Sequence, residues 1–116
     1  SAFLEDVHER GLSDDILLVC TGEMGRTPKL NSRGGRDHWG NLSPLMLSGG
    51  GLKMGQVIGQ SDRLAGGPQT SPIERKDLVT SIMHTLFDLG ELRITRGVPN
   101  EVVQVATAGN VIPGLF

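Results

Sequence analysis

An uninterrupted apolar run, Ile16 to Cys20 (ILLVC), is the feature that most constrains what this chain can fold into. A strand that faces water on one side alternates apolar and polar residues, whereas a strand covered on both faces reads as a continuous apolar stretch. The run therefore predicts a buried strand of a parallel sheet. Ligands of open α/β sheets bind beyond the carboxyl ends of the strands, so we expect the functional site in the next segment, Thr21 to Trp39.

The residues on either side of this strand favour an α/β arrangement. Residues 2–10 place apolar side chains on one helical stripe, and Gly11 follows as a C-cap, which predicts the end of a helix. A helix, a glycine turn and a buried strand form the second half of a β-α-β unit. A second strand is predicted at residues 42–47, with Pro44 indicating an edge or a strand start, and Gly49 to Gly51 predict turns.

The second half of the chain contains the clearest helical pattern, over residues 72–89. Its start fits either a capping box at Ser71 to Glu74 or a first turn near Arg75, and Gly90 indicates its end. One face is apolar and consists of Leu78, Val79, Ile82, Leu86 and Leu89. His84 lies opposite that face and is expected to be solvated. Short extended pieces are predicted at residues 92–95, 101–107 and 110–113.

Composition limits the size of the core and the class of function. The 116 residues include 17 glycines but only three Phe, one Trp and no Tyr, so we expect residues 1–116 to form a single, incomplete domain. The net charge of −2 argues against general nucleic-acid binding, and no apolar run is long enough for a membrane span. A single cysteine, Cys20, excludes an internal disulfide and a Cys-rich zinc module, and predicts a small apolar filler at the strand end.

The segment after the strand combines metal-ligating and anion-binding residue types. Glu23, Asp37 and His38 offer carboxylates and an imidazole, which suit zinc, manganese or a similar divalent ion. Arg26 and Arg36 carry planar guanidinium groups that can clamp a sulfate or a phosphate. By spacing alone, surface salt bridges explain the same residues.

Three strings of the sequence carry a resemblance to a known family and occur in the expected order: GEMGRTPKLN, GRDHWGNLSPLMLSGGGLKMGQVIGQSD and DLVTSIMHTLFDLG. With them the chain resembles the C-terminal part of the bacterial domain-of-unknown-function 1501 family. That family is placed in the alkaline phosphatase and sulfatase superfamily. Its Gly-Glu-Phe-Gly-Arg-Thr-Pro run is matched at Gly22 to Pro28, with Met24 in place of the aromatic residue. The Gly-Arg-Asp-His-Trp run is matched without change at Gly35 to Trp39.

The resemblance implies a fold and an activity. The expected fold is the C-terminal fragment of a three-layer α/β/α domain with a mostly parallel sheet. The expected activity is metal-dependent hydrolysis of sulfate or phosphate esters, with zinc, calcium or manganese as the cofactor. The nucleophile would belong to an N-terminal half of the parent domain, which would be a partner of this chain, and the isolated chain would be inactive. The parent would be exported from the cytoplasm.

The resemblance also implies roles for individual residues. Glu23 takes an acidic metal-ligand position and His38 a later histidine position, while Asp37 is either a third ligand or the partner that orients His38. Arg26 and Arg36 would bind the small anionic ester substrate. A non-catalytic module that holds an anion or stabilises the same fold is the alternative.

Overall fold

The computed structural model describes all residues from Ser1 to Phe116, and they form two compact units. Unit 1 consists of Ser1–Gly50 and Gln56–Pro72. Unit 2 consists of Gly51–Gly55 and Ile73–Phe116.

Unit 1 begins with helix α1, Ala2–Glu9, as the apolar stripe predicted. The helix ends in a Schellman motif, because the Gly11 amide donates to the His8 carbonyl and the Leu12 amide donates to the Val7 carbonyl, both at 3.0 Å. Gly11 has a φ of 68°, a left-handed conformation that glycine adopts without strain. Val7 is buried and is the main apolar anchor of the helix.

Four strands follow in unit 1 and form two antiparallel pairs. Strand β1, Leu17–Thr21, pairs with β4, Leu45–Gly49, so that Leu17 lies opposite Gly49 and Thr21 opposite Leu45. Strand β2, Gly25–Arg26, pairs with β3, His38–Trp39. Each sheet has two strands only.

The predicted α/β/α fold with a mostly parallel sheet is therefore wrong for this chain. A parallel pair needs a crossover connection, usually a helix, between its strands. The connection between β1 and β4, residues 22–44, contains no helix and instead folds into the β2–β3 pair and its loop. The chain consequently returns antiparallel to β1 in a strand that begins at Leu45, directly after Pro44, and includes Gly49, whereas the prediction placed this strand at residues 42–47.

The continuous apolar run was misleading because β1 is only partly covered. Leu17 to Val19 are half-buried and Cys20 is exposed, so the prediction of Cys20 as a small apolar filler at the strand end is also wrong. A short apolar run has the same appearance whether one sheet face is covered or both are.

Unit 2 is helical. Helix α2 spans Arg75–Leu86, α3 spans Leu89–Ile94 and α4 spans Asn100–Ala106. The start of α2 at Arg75 was one of the two predicted alternatives, and a reciprocal capping box forms between Glu74 and Asp77. The pieces predicted as extended at residues 92–95 and 101–107 are instead largely helical. None of the helices is long and apolar enough to cross a membrane.

Helix α2 buries its polar side more completely than the predicted apolar face, most of which is half-buried. Thr80 and Ser81 are 3% and 2% exposed, whereas Leu86 is 60% exposed. The C-terminal segment covers the polar side, and its amides at Gly109, Asn110 and Ile112 donate to Thr80 Oγ1, Asp77 Oδ1 and Ser81 Oγ at 3.0, 2.8 and 2.9 Å. His84 is exposed, as predicted, with its ring edge-on to Phe116.

Candidate functional site

The segment Thr21 to Trp39 forms a short β-ribbon closed by a long loop. Arg26 lies directly opposite His38, and Gly25 lies opposite Trp39. The pairing continues by one further bond, in which the Thr27 amide donates to the Asp37 carbonyl at 3.0 Å. The sequence motifs Gly22 to Pro28 and Gly35 to Trp39 are thus the two sides of one ribbon.

The alternation of side chains along a strand divides the candidate residues between the two faces of this ribbon. Directly opposed residues share a face, so Arg26 and His38 lie side by side. Asp37 precedes His38 by one residue and therefore projects from the opposite face. The register thus pairs Arg26 with His38, and the alternation places Asp37 on the other face.

Asp37 is held from within the loop. Its Oδ1 accepts a hydrogen bond from the Asn31 side-chain amide at 2.8 Å, and its backbone amide donates to Thr27 Oγ1 at 3.1 Å. These bonds give the Asp37 carboxylate a local partner other than His38.

The Arg36 guanidinium is also engaged within the loop. Its Nη1 donates to the carbonyl oxygens of Thr27, at 2.8 Å, and Pro28, at 2.5 Å. Arg26 differs, because it is exposed and forms neither an ion pair nor a side-chain hydrogen bond. Of the two arginines predicted to bind an anion, Arg26 has its whole guanidinium available.

Glu23 lies in the exposed bend between β1 and β2 and has no hydrogen-bond or ion-pair partner. Its carboxylate is a chemically suitable metal ligand, as is the imidazole of the exposed His38. No group of three or more His, Cys, Asp or Glu side chains in the chain is arranged to hold a metal ion. Glu23, Asp37 and His38 therefore do not form a complete metal site by themselves.

A shallow groove of about 360 Å³ lies at the carboxyl end of β1. Its walls are Cys20, Thr21, Gly22, Pro44, Leu45 and Met46. The groove lies at the sheet end where a ligand was expected, but none of the candidate site residues lines it. Arg26 and His38 are both exposed and lie outside this groove.

A second loop of unit 1 fixes the position of Trp39. The Trp39 indole Nε1 donates to the Ala65 carbonyl at 2.6 Å, and the Asn41 side-chain amide donates to the Gly66 carbonyl at 2.8 Å. Asp62 organises this loop by accepting from the amides of Leu64 and Gly66, both at 2.8 Å. The backbone amides, that of Gly66 foremost, lower the pKa of the Asp62 carboxyl below its ordinary 3.8.

Asn31 and Thr27 organise the long loop, although neither was predicted from the sequence as a functional residue. Asn31 Oδ1 accepts from the amides of Arg33 and Gly35, both at 3.0 Å, while its Nδ2 holds Asp37. An Asn followed by Ser, Arg and two glycines is typical of a turn in which the side chain bonds backbone amides two or more residues ahead, and that signal could have identified Asn31.

Comparison with known proteins gives one match. No curated protein and no solved structure is detectably similar to this chain. The model of a family described as protein of unknown function (DUF1501) matches residues 1–116, which is the whole chain. The two motifs that form the two sides of the ribbon thus lie within this match, and the chain belongs to the DUF1501 family.

Proposed function

We propose that this chain supplies an anion-binding surface to a sulfatase-like, metal-dependent hydrolase of sulfate or phosphate esters. The observation that carries the proposal is the placement of Arg26 directly opposite His38 on one face of the β2–β3 ribbon. A guanidinium fork and an imidazole side by side offer several N–H donors to one tetrahedral anion. Both side chains are exposed, so a substrate can reach them.

The metal belongs to this proposal as a group that this chain binds only in part. Glu23 and His38 would supply two donors for zinc, calcium or manganese, and an N-terminal part of the same domain would supply the other donors and the nucleophile. Bound metal would polarise the ester oxygen. Asp37 keeps its bond to Asn31, so its contribution would be to the shape of the loop.

A non-catalytic anion-binding module is the second candidate. It is favoured by the absence of any group of three metal-ligating side chains. In this case Arg26 and His38 would bind the anion without a metal, and Glu23 would be an ordinary surface carboxylate.

Titration with sodium sulfate, followed by the NMR signals of the His38 ring, tests the shared part of both proposals. We expect Arg26→Ala to weaken sulfate binding about tenfold, because charged hydrogen bonds are the stronger class. Arg33→Ala is the matched control, since Arg33 is exposed, belongs to the same loop and forms no side-chain bond. An Arg26→Ala variant that binds sulfate like the parent chain would refute both candidates.

Zinc and manganese separate the two candidates. If the chain contributes metal donors, either ion should strengthen sulfate binding, and Glu23→Gln should abolish that gain without changing metal-free binding. A module without a metal role would bind sulfate identically with and without the ions. Hydrolysis of an aryl sulfate and an aryl phosphate, measured for the chain joined to the N-terminal part of its domain, then decides whether the surface serves catalysis.

A further inference from the structure

The β2–β3 ribbon is too short to fix its own register. Each strand has two residues, Gly25–Arg26 and His38–Trp39, and the pair is antiparallel. Isolated two-stranded ribbons are marginal in water even when they are longer. A slip of one residue moves a side chain to the other face. Such a slip would separate Arg26 from His38, so something outside the strands must hold the register.

The loop between the strands contains the required contacts. Arg36 lies on the returning side and donates from one nitrogen to the carbonyls of Thr27 and Pro28 on the outgoing side. These two hydrogen bonds connect the two sides of the loop two residues before His38 in the chain. Because one guanidinium nitrogen binds both carbonyls, the two sides of the loop are held at a fixed distance from each other.

Asn31 provides the second crosslink. Its Oδ1 closes the turn by accepting from Arg33 and Gly35, and its Nδ2 donates to the Asp37 carboxylate next to His38. Thr27 adds a third, because its hydroxyl accepts from the Asp37 amide at 3.1 Å. All three crosslinks meet the ribbon at the end occupied by Arg26 and His38.

We infer that Arg36 and Asn31 are positioning residues that hold the register of the β2–β3 ribbon and so keep Arg26 beside His38 for anion binding. Arg36 then acts on the anion through Arg26 and not by direct contact, although its charge would suggest otherwise. The inference rests on the proposed function for the anion, but the register itself is measurable without any ligand.

The test compares two arginines of the same loop in the full chain. Arg36→Ala and Arg33→Ala remove the same charge, but only the Arg36 side chain is bonded to the opposite side of the loop. We expect Arg36→Ala to weaken sulfate binding about tenfold and Arg33→Ala less than about twofold. Arg36→Lys retains the charge and one donor nitrogen, and should recover part of the affinity.

Asn31→Asp tests the second crosslink with little change of shape. Its carboxylate still accepts from Arg33 and Gly35, but it cannot donate to Asp37 and repels it. Ser32→Asp is the control, because it adds the same charge at an exposed neighbour that has no side-chain bond. We expect Asn31→Asp to weaken sulfate binding at least about fivefold more than Ser32→Asp does.

A double-mutant cycle distinguishes positioning from direct contact. If Arg36 acts through Arg26, Arg26→Ala should change the affinity of the Arg36→Ala variant less than about twofold. In the parent chain, cross-strand NMR contacts between Arg26 and His38 should be strong, and they should weaken in Arg36→Ala and Asn31→Asp. Additive effects with unchanged cross-strand contacts would overturn the inference.

The two failures are distinguishable. If Arg26→Ala leaves sulfate binding intact, the proposed function fails, while the cross-strand contacts still decide the role of Arg36. If Arg36→Ala does not fold, Arg36→Lys and Asn31→Asp carry the same comparison. Unchanged contacts in both of these variants would show that the ribbon needs neither residue.

Discussion

At the scale of single residues, the ribbon depends on a glycine. Gly25 is buried, and a Cβ at this position would lie 1.8 Å from the Leu42 carbonyl oxygen and 3.1 Å from that of Trp39. The first distance is far inside any contact that two such atoms can make. The glycine of the Gly-Arg-Thr-Pro motif is therefore required by close backbone approach, and its neighbour Arg26 is positioned by it.

Gly25→Ala tests this packing. We expect the substitution to lower the free energy of unfolding by about 1–3 kcal/mol, because overpacking forces the backbone to move, and to abolish sulfate binding at Arg26. Gly40→Ala is the control, since a Cβ at Gly40 meets no atom within 4 Å. Urea unfolding and sulfate titration of both variants give the comparison. Equal behaviour of the two variants would contradict the close approach.

The candidate residues were predictable from the sequence more readily than their grouping. Residue chemistry selected Arg26 and His38 as candidates for different roles, and the structure places them opposite each other in the ribbon. The strands that pair them are two residues long and leave no periodic signal, so the alternation that sends Asp37 to the other face was hidden. The intraloop bonds of Arg36 were hidden for the same reason, because loop hydrogen bonds depend on a fold-back that no local pattern specifies.

At the scale of secondary-structure elements, helix α2 shows that an amphipathic pattern predicts the presence of a helix better than it predicts which face of the helix is buried. The spacing of apolar residues predicted the helix, and the start at Arg75 was one of two predicted alternatives. The capping box predicted at Ser71 to Glu74 forms between Glu74 and Asp77 instead. The buried face is polar because the C-terminal segment lies on it and needs acceptors for its backbone amides. Asp77, Thr80 and Ser81 supply those acceptors, and a Cβ at Gly109 would lie 2.5 Å from the Lys76 carbonyl.

Asp77 makes this contact dependent on pH. The Asn110 amide and then the Glu74 amide hold the pKa of the Asp77 carboxyl below its ordinary 3.8. A folded-state pKa below the unfolded value stabilises the fold at pH values above 3.8, and the contribution is lost as the pH falls through the folded pKa. The attachment of the C-terminal segment should therefore weaken in acid.

Asp77→Asn should be less stable than the parent chain near neutral pH, and the difference should shrink once the pH is below 3.8. The Asn side chain retains one acceptor, whereas Asp77 uses both oxygens, Oδ1 for Asn110 and Oδ2 for Glu74. Urea midpoints of both chains across this range measure the difference. Asp14→Asn is the control, as Asp14 is exposed and has no side-chain bond. A difference that stayed constant with pH would exclude Asp77 as the titrating group.

The elements that the sequence misassigned share a physical cause. Residues 101–107 are rich in β-branched side chains and favoured a strand, but packing of α4 against α2 outweighs that weak propensity. Asp88 similarly starts α3 by accepting from the amides of Gly90 and Glu91, which the glycine at position 90 obscured. Intrinsic propensities differ by less free energy than capping and burial contribute. Capping and burial therefore determine whether these segments form helices.

At the scale of the whole molecule, the chain exposes more surface than its mass requires. Its accessible area is 8644 Å² for 12.4 kDa. A compact chain of this mass would expose about 6,100 Å², and two separate compact units of these sizes about 7,400 Å². Fifteen large apolar residues are exposed, Val57 by 94%. These surfaces are the support for our proposal that an N-terminal part of the domain is the partner of this chain.

The two units should also differ in stability. Val7 is the only buried apolar side chain of unit 1, whereas unit 2 buries Leu52, Ala106, Ile112 and Leu115. Since apolar burial is the main favourable term in folding, the amides of β1 and β4 should exchange with solvent hydrogen faster than those of α2. Val7→Ala should speed exchange in unit 1, whereas Ile112→Ala should speed it in unit 2.

The free energy of global unfolding of the isolated chain, measured in urea, should be below about 5 kcal/mol, which is the lower end for natural domains. Uniform protection across both units with a single steep transition above that value would show that the exposed apolar surface needs no partner.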